Sequence, residues 1–251
     1  MSNLMMTELF KLRKGRIFWL LTVLLLLAGA CYPFLIFFND GTFDAHAVEV
    51  KELYTFSALG GNNYIIRLIP CILAGFFISS EYSIGTMKSI CASGNSRIRI
   101  YLVKLMVFSL GAVIIACTFP FAILSVSAVL SGFYEMPTWL YVVRTLCLTI
   151  LYALAFASMM AVIAIIFTDS GKTIGFSILF FILIDSILYA LAQKFTLFHM
   201  LFNHSIFKLF LDIPLNNLSN NELSTIIIVP IVTFLLCAIM GAIIFQRKEI
   251  K

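Results

Sequence analysis

Long apolar runs separated by short polar stretches set the plan of this chain. Six runs approach or exceed the ~20 residues that a helix needs to cross a bilayer. They are Ile17 to Phe38, Ile65 to Ser79, Leu105 to Leu130, Leu146 to Phe167, Ile174 to Ala192 and Thr225 to Phe245. The second is short and borrows flanking residues such as Asn63 and Tyr64. Continuous apolar runs lack the alternation of outer-membrane strands, so the spans are read as helices. With their flanks they fall at 17–38, 63–80, 105–130, 144–167, 174–192 and 225–245, in a single all-α membrane domain over 1–251 with six transmembrane helices.

The polar interruptions differ in kind. In residues 1–16, Met5, Leu9 and Leu12 recur at helical spacing, with Glu8 and Lys11 off that stripe and four cations toward the end. This pattern predicts an interfacial helix that turns into the first span near Gly15; a basic anchor without a mechanical role fits the same residues. Ser80 to Lys104 is the long polar and basic interlude of the first two thirds. A helix is expected up to Ser93, a break at Gly94, an N-cap at Ser96, and a new helix through Arg97, Arg99 and Lys104 into the third span. Lys88, Arg97, Arg99 and Lys104 are expected at phosphate level with snorkelling stems. A simple connection needs only about two to eight residues, so the length of this insert calls for another explanation. Asn39 to Asn63 reads as a polar loop, and 195–211, interrupted by His199, Asn203, His204 and Lys208, as an outer re-entrant or interfacial segment.

Composition and charge add orientation. Hydrophobic residues form 62% of 251 positions and charged residues 12%; mean hydropathy is +1.06. This is a multi-pass membrane protein in contact with membrane lipids. Lys11, Arg13, Lys14, Arg16, Lys88, Arg97, Arg99, Lys104, Lys172, Arg247, Lys248 and Lys251 gather on one side, 12 of the 17 basic residues. Asp40, Asp44, Glu49, Glu52, Glu135, Asp212 and Glu222 lie on the other. Both termini are therefore expected in the cytoplasm, and the net charge of +5 reflects topology, with no nucleic-acid partner indicated. The basic start followed by IFWLLTVLLLLAGAC imitates a lipoprotein signal ending at Cys31. The apolar run continues to Phe38, however, and Ala28 stands where such a signal prefers Leu, so a retained anchor is expected. Cys31, Cys71, Cys117, Cys147 and Cys237 fall in apolar runs and read as buried small hydrophobes.

Ionisable groups inside spans are candidates for function, because a charge at mid-bilayer costs about 2.5 to 3.5 kcal/mol. Asp185 sits roughly 16 Å into the fifth span at ~1.5 Å per residue. Arg67 and Arg144, read at the outer ends of the second and fourth spans, are possible partners. A hydrogen-bonded structural Asp fits equally. Pro120 and Pro230 should bend their spans. Asp169 to Thr173 reads DSGKT, but the glycine of a phosphate-binding loop is missing: Ile166 occupies its place. Lys172 is then a topology anchor. Three scattered histidines and one deep acid supply neither a metal site nor the cluster that an intramembrane enzyme needs. No paired broken helices or inverted repeat marks an ion-driven secondary transporter.

Glu81, Tyr82, Gly85 and Thr86, followed by Ser96, Arg97 and Lys104, resemble a motif of the permease subunits of ABC-2-type ATP-binding cassette exporters. That motif is E-Y-x-x-G-T, a small-residue break, an Arg and a later Lys. Glu8, Lys11 and Leu12 resemble that family's connecting helix, and the likeness extends over the six spans. Within the family the chain is most similar to small bacterial permeases linked to bacitracin or lantibiotic resistance and export. The resemblance implies a multi-pass subunit of the bacterial cell membrane, acting with a second copy or a sister permease. It also implies a separate cytoplasmic ATPase that binds ATP and Mg, with no cofactor held by this chain. Residues 80–104 would be the cytoplasmic coupling segment, with Glu81, Tyr82, Gly85, Thr86, Lys88 and Arg97 at the coupling contact. Residues 195–211 would form a lid on the exit. The implied cargo is an antimicrobial peptide or similar amphipathic compound; ions, hydrophobic drugs and lipid-linked glycans are the alternatives, and an ion-driven secondary transporter is the rival reading.

Overall fold

A computed structural model describes residues 2–39, 42–45, 48–215 and 218–249; Asp40 and Lys251, placed above on opposite sides, lie outside them. In chain order the helices are α1 (Ser2–Lys14), α2 (Arg16–Phe37), α3 (Val50–Ser83), α4 (Thr86–Ala92), α5 (Arg97–Leu130), α6 (Trp139–Phe167), α7 (Ser170–Lys194), α8 (Thr196–Asn203), α9 (Ile206–Leu211) and α10 (Asn220–Arg247). Six of them, α2, α3, α5, α6, α7 and α10, are long and apolar enough to cross a membrane. Two short strands, β1 (Phe38–Asn39) and β2 (Thr42–Phe43), form an antiparallel hairpin after α2.

The helices sort by how much of each is hidden. In α6, 67% of the most apolar stretch is buried, against 11% in α7 and 22% in α10. A span apolar all round has no preferred inward face in lipid, so tertiary packing decides, and α6 lies at the centre. Around it Tyr152 and Phe156 of α6, Phe181 of α7, and Phe207 and Phe210 of α9 form one aromatic core. The thiols follow the same division: Cys71 is buried, whereas Cys31 and Cys147 are exposed on the bundle surface. The expectation that all apolar-run cysteines are buried is therefore corrected; lipid tolerates a thiol as well as a protein core does.

The second span is much longer than the 63–80 expected. It begins at Val50 and runs unbroken for 34 residues, so half of the supposed Asn39 to Asn63 loop is helix. Gly60, Gly61, Asn62 and Asn63 look like a turn, yet Gly60 has helical dihedrals (φ −63°, ψ −47°). Tyr54, Ala58 and Leu59 pack against Ile123, Tyr141 and Val142, and that packing overrides weak local propensity. Two stretches of α3, Leu53–Leu59 and Gly75–Ser79, are wound as π-helix.

At the basic end, α3 stops at Ser83 because Gly85 takes a left-handed conformation (φ 82°). The single helix expected from Ser80 to Ser93 is thus two pieces, the end of α3 and the short α4. Gly94 (φ 81°) makes a second turn. Ser96 sits at the N-cap of α5 with extended backbone, but its side chain makes no cap bond. The DSGKT stretch is the α6–α7 turn, where the Asp169 carboxylate accepts from the Lys172 N–H at 2.8 Å. At the opposite end α8 and α9 form a short hairpin between α7 and α10. All of Ile206, Phe207, Leu209 and Phe210 on α9 are buried, and no residue of α8 is.

The helices α3 and α7 approach closely at Gly75, where an added Cβ would collide with Ile174 of α7 and lie 3.0 Å from the Ser170 carbonyl. Gly75→Val is expected to destabilise the bundle by about 1–3 kcal/mol, read as a lowered thermal midpoint in detergent. Gly60, with open space around it, is expected to accept Ala with equal or higher stability.

Candidate functional site

Four charges from three elements meet at the basic end. Lys104 of α5 places its Nζ 3.0 Å from Glu8 Oε2 and 2.5 Å from Glu81 Oε2. Lys11 of α1 lies 2.8 Å from Glu8 Oε1 and 2.9 Å from Glu81 Oε1. Each carboxylate therefore bridges both ammonium groups in an alternating ring. The side chains of Glu8 and Lys104 are 1% and 3% exposed, so Lys104 is not a snorkelling cation at phosphate level. It points inward because Ile100, Tyr101, Val103 and Leu105 around it are buried too. The helix α1 reaches the ring by laying Leu12 over Gly111 of α5, where an added Cβ would lie 3.1 Å from Leu12 Cδ1. Burial pulls the Lys11 pKa down, but hydrogen bonds to Glu8 and Glu81 outweigh it and the net shift is upward. Its stabilising charge is therefore complete below its ordinary pKa of 10.5 and lost only as pH rises through the raised value.

A second set of contacts ties the end of α10 to the same region. Arg97 donates from Nη1 to the Gln246 and Lys248 carbonyls at 3.1 and 2.7 Å. Lys248 Nζ donates to the carbonyls of Ile165 and, at 3.0 Å, Ile166, in the last turn of α6, where a cation meets the unpaired helix-end carbonyls. The Tyr82 ring lies 5.5 Å from Lys248 Nζ and edge-on to Phe245. Burial lowers the Lys248 pKa. Glu8, Lys11, Leu12, Glu81, Tyr82 and Arg97 make contacts within the chain, and Thr86 donates from Oγ1 to the Glu81 carbonyl at 3.3 Å across the Gly85 turn, while the Lys88 side chain is exposed. Ile84, which the motif does not include, is 73% exposed.

The third group lies mid-bundle. Arg67 donates from Nη1 to Asp185 Oδ2 at 2.8 Å and from Nη2 to the Phe207 carbonyl at 3.1 Å. Its guanidinium carbon lies 5.7 and 5.2 Å from the Phe156 and Phe207 ring centres. Because α3 starts at Val50, Arg67 stands near the middle of its helix and not at the outer end as expected. Arg144 is not a partner of Asp185: it donates to the Ile213 and Leu215 carbonyls at 3.4 and 2.5 Å, and Tyr141 donates to the Pro214 carbonyl between them at 2.9 Å. His199 and His204 each find a partner one turn away, Asn203 and the Met200 carbonyl. Neither the Lys104 to Glu8 contact nor those of Lys248 has a signature in the sequence beyond the place of Lys104 at the very edge of the apolar run Leu105 to Leu130.

Lys104→Met should leave two carboxylates facing one ammonium and cost about 3–5 kcal/mol of stability; adding Glu8→Gln should recover part of it, measured by denaturant unfolding in detergent. Asp185→Asn should strand the Arg67 charge and destabilise comparably, whereas Arg67→Met with Asp185→Leu should come out close to wild type by the same measurement.

A family model described as ABC-2 family transporter protein matches residues 4–186. That range contains all four charges of the ring together with Arg67 and Asp185. No curated protein matched the chain. With a match over most of its 251 residues and six helices able to cross a membrane, the chain belongs to the ABC-2 transporter family as a membrane-spanning component.

Proposed function

We propose that the chain is the permease of an ATP-driven exporter in a bacterial cell membrane, with both termini in the cytoplasm and α4 docked on the ATPase that supplies ATP and Mg. The observation that carries this reading is the way α4 is mounted. It hangs from Glu81 through the Gly85 turn, its own Met87 is buried, and it presents Lys88 and Ser89 outward, with Ile84 beside them. A short exposed helix held by a rigid charge ring is suited to pass a push from a partner into α1, α3 and α5. Membership of the family supports the ATPase partner. The broad apolar faces of α7 and α10 support pairing with a second copy or sister permease.

The cargo proposed is an antimicrobial peptide or similar amphipathic compound. Two features support it. An apolar groove of about 540 Å³ opens between α2, α5 and α6 beside Leu26, Cys117 and Phe121. A cleft of about 470 Å³ with charged and apolar side chains lies at the α8–α9 end beside Lys208, Asp212 and Glu222. A cargo with one apolar and one charged face could use both.

Ile84→Asp combined with Lys88→Glu should weaken co-purification with the ATPase by about tenfold or more, and should reduce survival of cells challenged with a lantibiotic to that of cells lacking the ATPase. Membrane insertion should stay normal. An ATPase complex and a survival curve unchanged from wild type would remove α4 from the docking contact.

A further inference from the structure

A groove of about 480 Å³ opens between the α1–α2 elbow and the end of α3. Phe18, Leu73 and Phe76 give it an apolar lining, and Lys11 and Arg16 stand at its edge. Since α2 begins at Arg16 and α3 ends at Ser83, the groove lies where two spans leave the hydrocarbon. Around it α1 has the exposure of an interfacial helix: Met6 and Phe10 are 71% and 61% exposed, and Arg13 and Lys14 are exposed with Arg16.

Two physical conditions narrow what fills this space. An apolar surface open to the bilayer is covered by acyl chains and not by water. A cluster of cations at the membrane surface attracts anionic headgroups. Glu81 also borders the groove, but Lys11 and Lys104 balance its carboxylate, so it does not turn the site acidic. We propose that the groove is a binding site for an anionic phospholipid, with the phosphate on Arg16 in the positive field of the exposed Arg13 and Lys14 and one acyl chain along Phe18, Leu73 and Phe76. Lys11 and Glu81 line the groove while paired with each other in the charge ring, so the headgroup sits beside the joint between α1 and α3.

Trp19 reports on the site. It is half exposed, donates from Nε1 to the Arg13 carbonyl at 2.7 Å, and its ring meets Phe18 edge-on at 5.5 Å. The chain has two tryptophans, so Trp139→Phe leaves Trp19 alone. The full chain is reconstituted in vesicles carrying equal mole fractions of acyl-brominated phosphatidylglycerol or phosphatidylcholine, and Trp19 quenching is compared. Stronger quenching by the anionic lipid is expected, displaced by unbrominated phosphatidylglycerol and not by unbrominated phosphatidylcholine. Arg16→Gln should cut the preference about fivefold, and Arg16→Lys should keep most of it. Equal quenching by the two lipids in the Arg16 protein overturns the proposal without any further variant. So does a preference that survives Arg16→Gln, or one that soluble glycerol phosphate abolishes, which would mark an ion site with no role for the lipid chain.

Discussion

A charge held away from water must be met by an opposite charge, and the buried ammonium of Lys104 imposes that condition on the whole basic end of the bundle. Its two carboxylate partners come from α1 and from the last turn of α3, while Lys104 itself is on α5. Taking any one of these elements away would strand a charge at a cost of several kcal/mol. The three helices are consequently one mechanical unit, although Glu8 and Lys104 are far apart in the chain. Lys11 closes the ring from the more exposed side.

The same condition recurs deeper in the bundle, on the same helix. Arg67 and Glu81 both belong to α3, about four turns apart, or ~21 Å at 1.5 Å per residue. Arg67 meets Asp185 on α7 and donates to the Phe207 carbonyl of the α8–α9 hairpin. Contacts therefore run without a gap from α4 through the charge ring and α3 to α9 at the far end. Between the two charged positions lies the π-wound stretch Gly75–Ser79, which is also where Gly75 lets α7 approach and where Ser79 Oγ meets Thr173 Oγ1 at 2.7 Å. A π-turn is a local change of helical register, so this is the place where rotation of one half of α3 relative to the other would be absorbed.

The six spans were legible because bilayer thickness demands long apolar runs, and soluble folds do not produce six of them in one chain. The start of α3 was not, since Gly60, Gly61, Asn62 and Asn63 carry the local signature of a turn, and what extends the helix through them is the packing of the preceding Tyr54, Ala58 and Leu59 on Ile123 and Tyr141. Asp185 could be singled out from its depth alone, but the choice between Arg67 and Arg144 depended on where α3 begins. That fact was itself hidden. Glu8, Lys11 and Glu81 were visible as motif residues; that they converge on Lys104 was not, because pairing across 96 positions of chain leaves no periodic trace. The extra break at Gly85 was missed for a simpler reason: a glycine takes either hand of the backbone, and sequence does not say which.

The ion pairs found in the bundle balance: two acids with two bases in the ring, Arg67 with Asp185, and Lys208 with Asp212. Internal pairs of this kind fix shape and contribute little field outside. The excess positive charge of the chain must then reside on side chains outside these pairs, and Arg13, Lys14, Arg16, Lys88, Arg97 and Arg99 are all exposed at one end. That end thus presents a positive face to whatever adjoins it, which is the electrostatic condition for drawing anionic headgroups against α1. Buried and exposed lysines so close in sequence as Lys88 and Lys104 accordingly do different work: the second joins the helices to one another, and the first meets the surroundings.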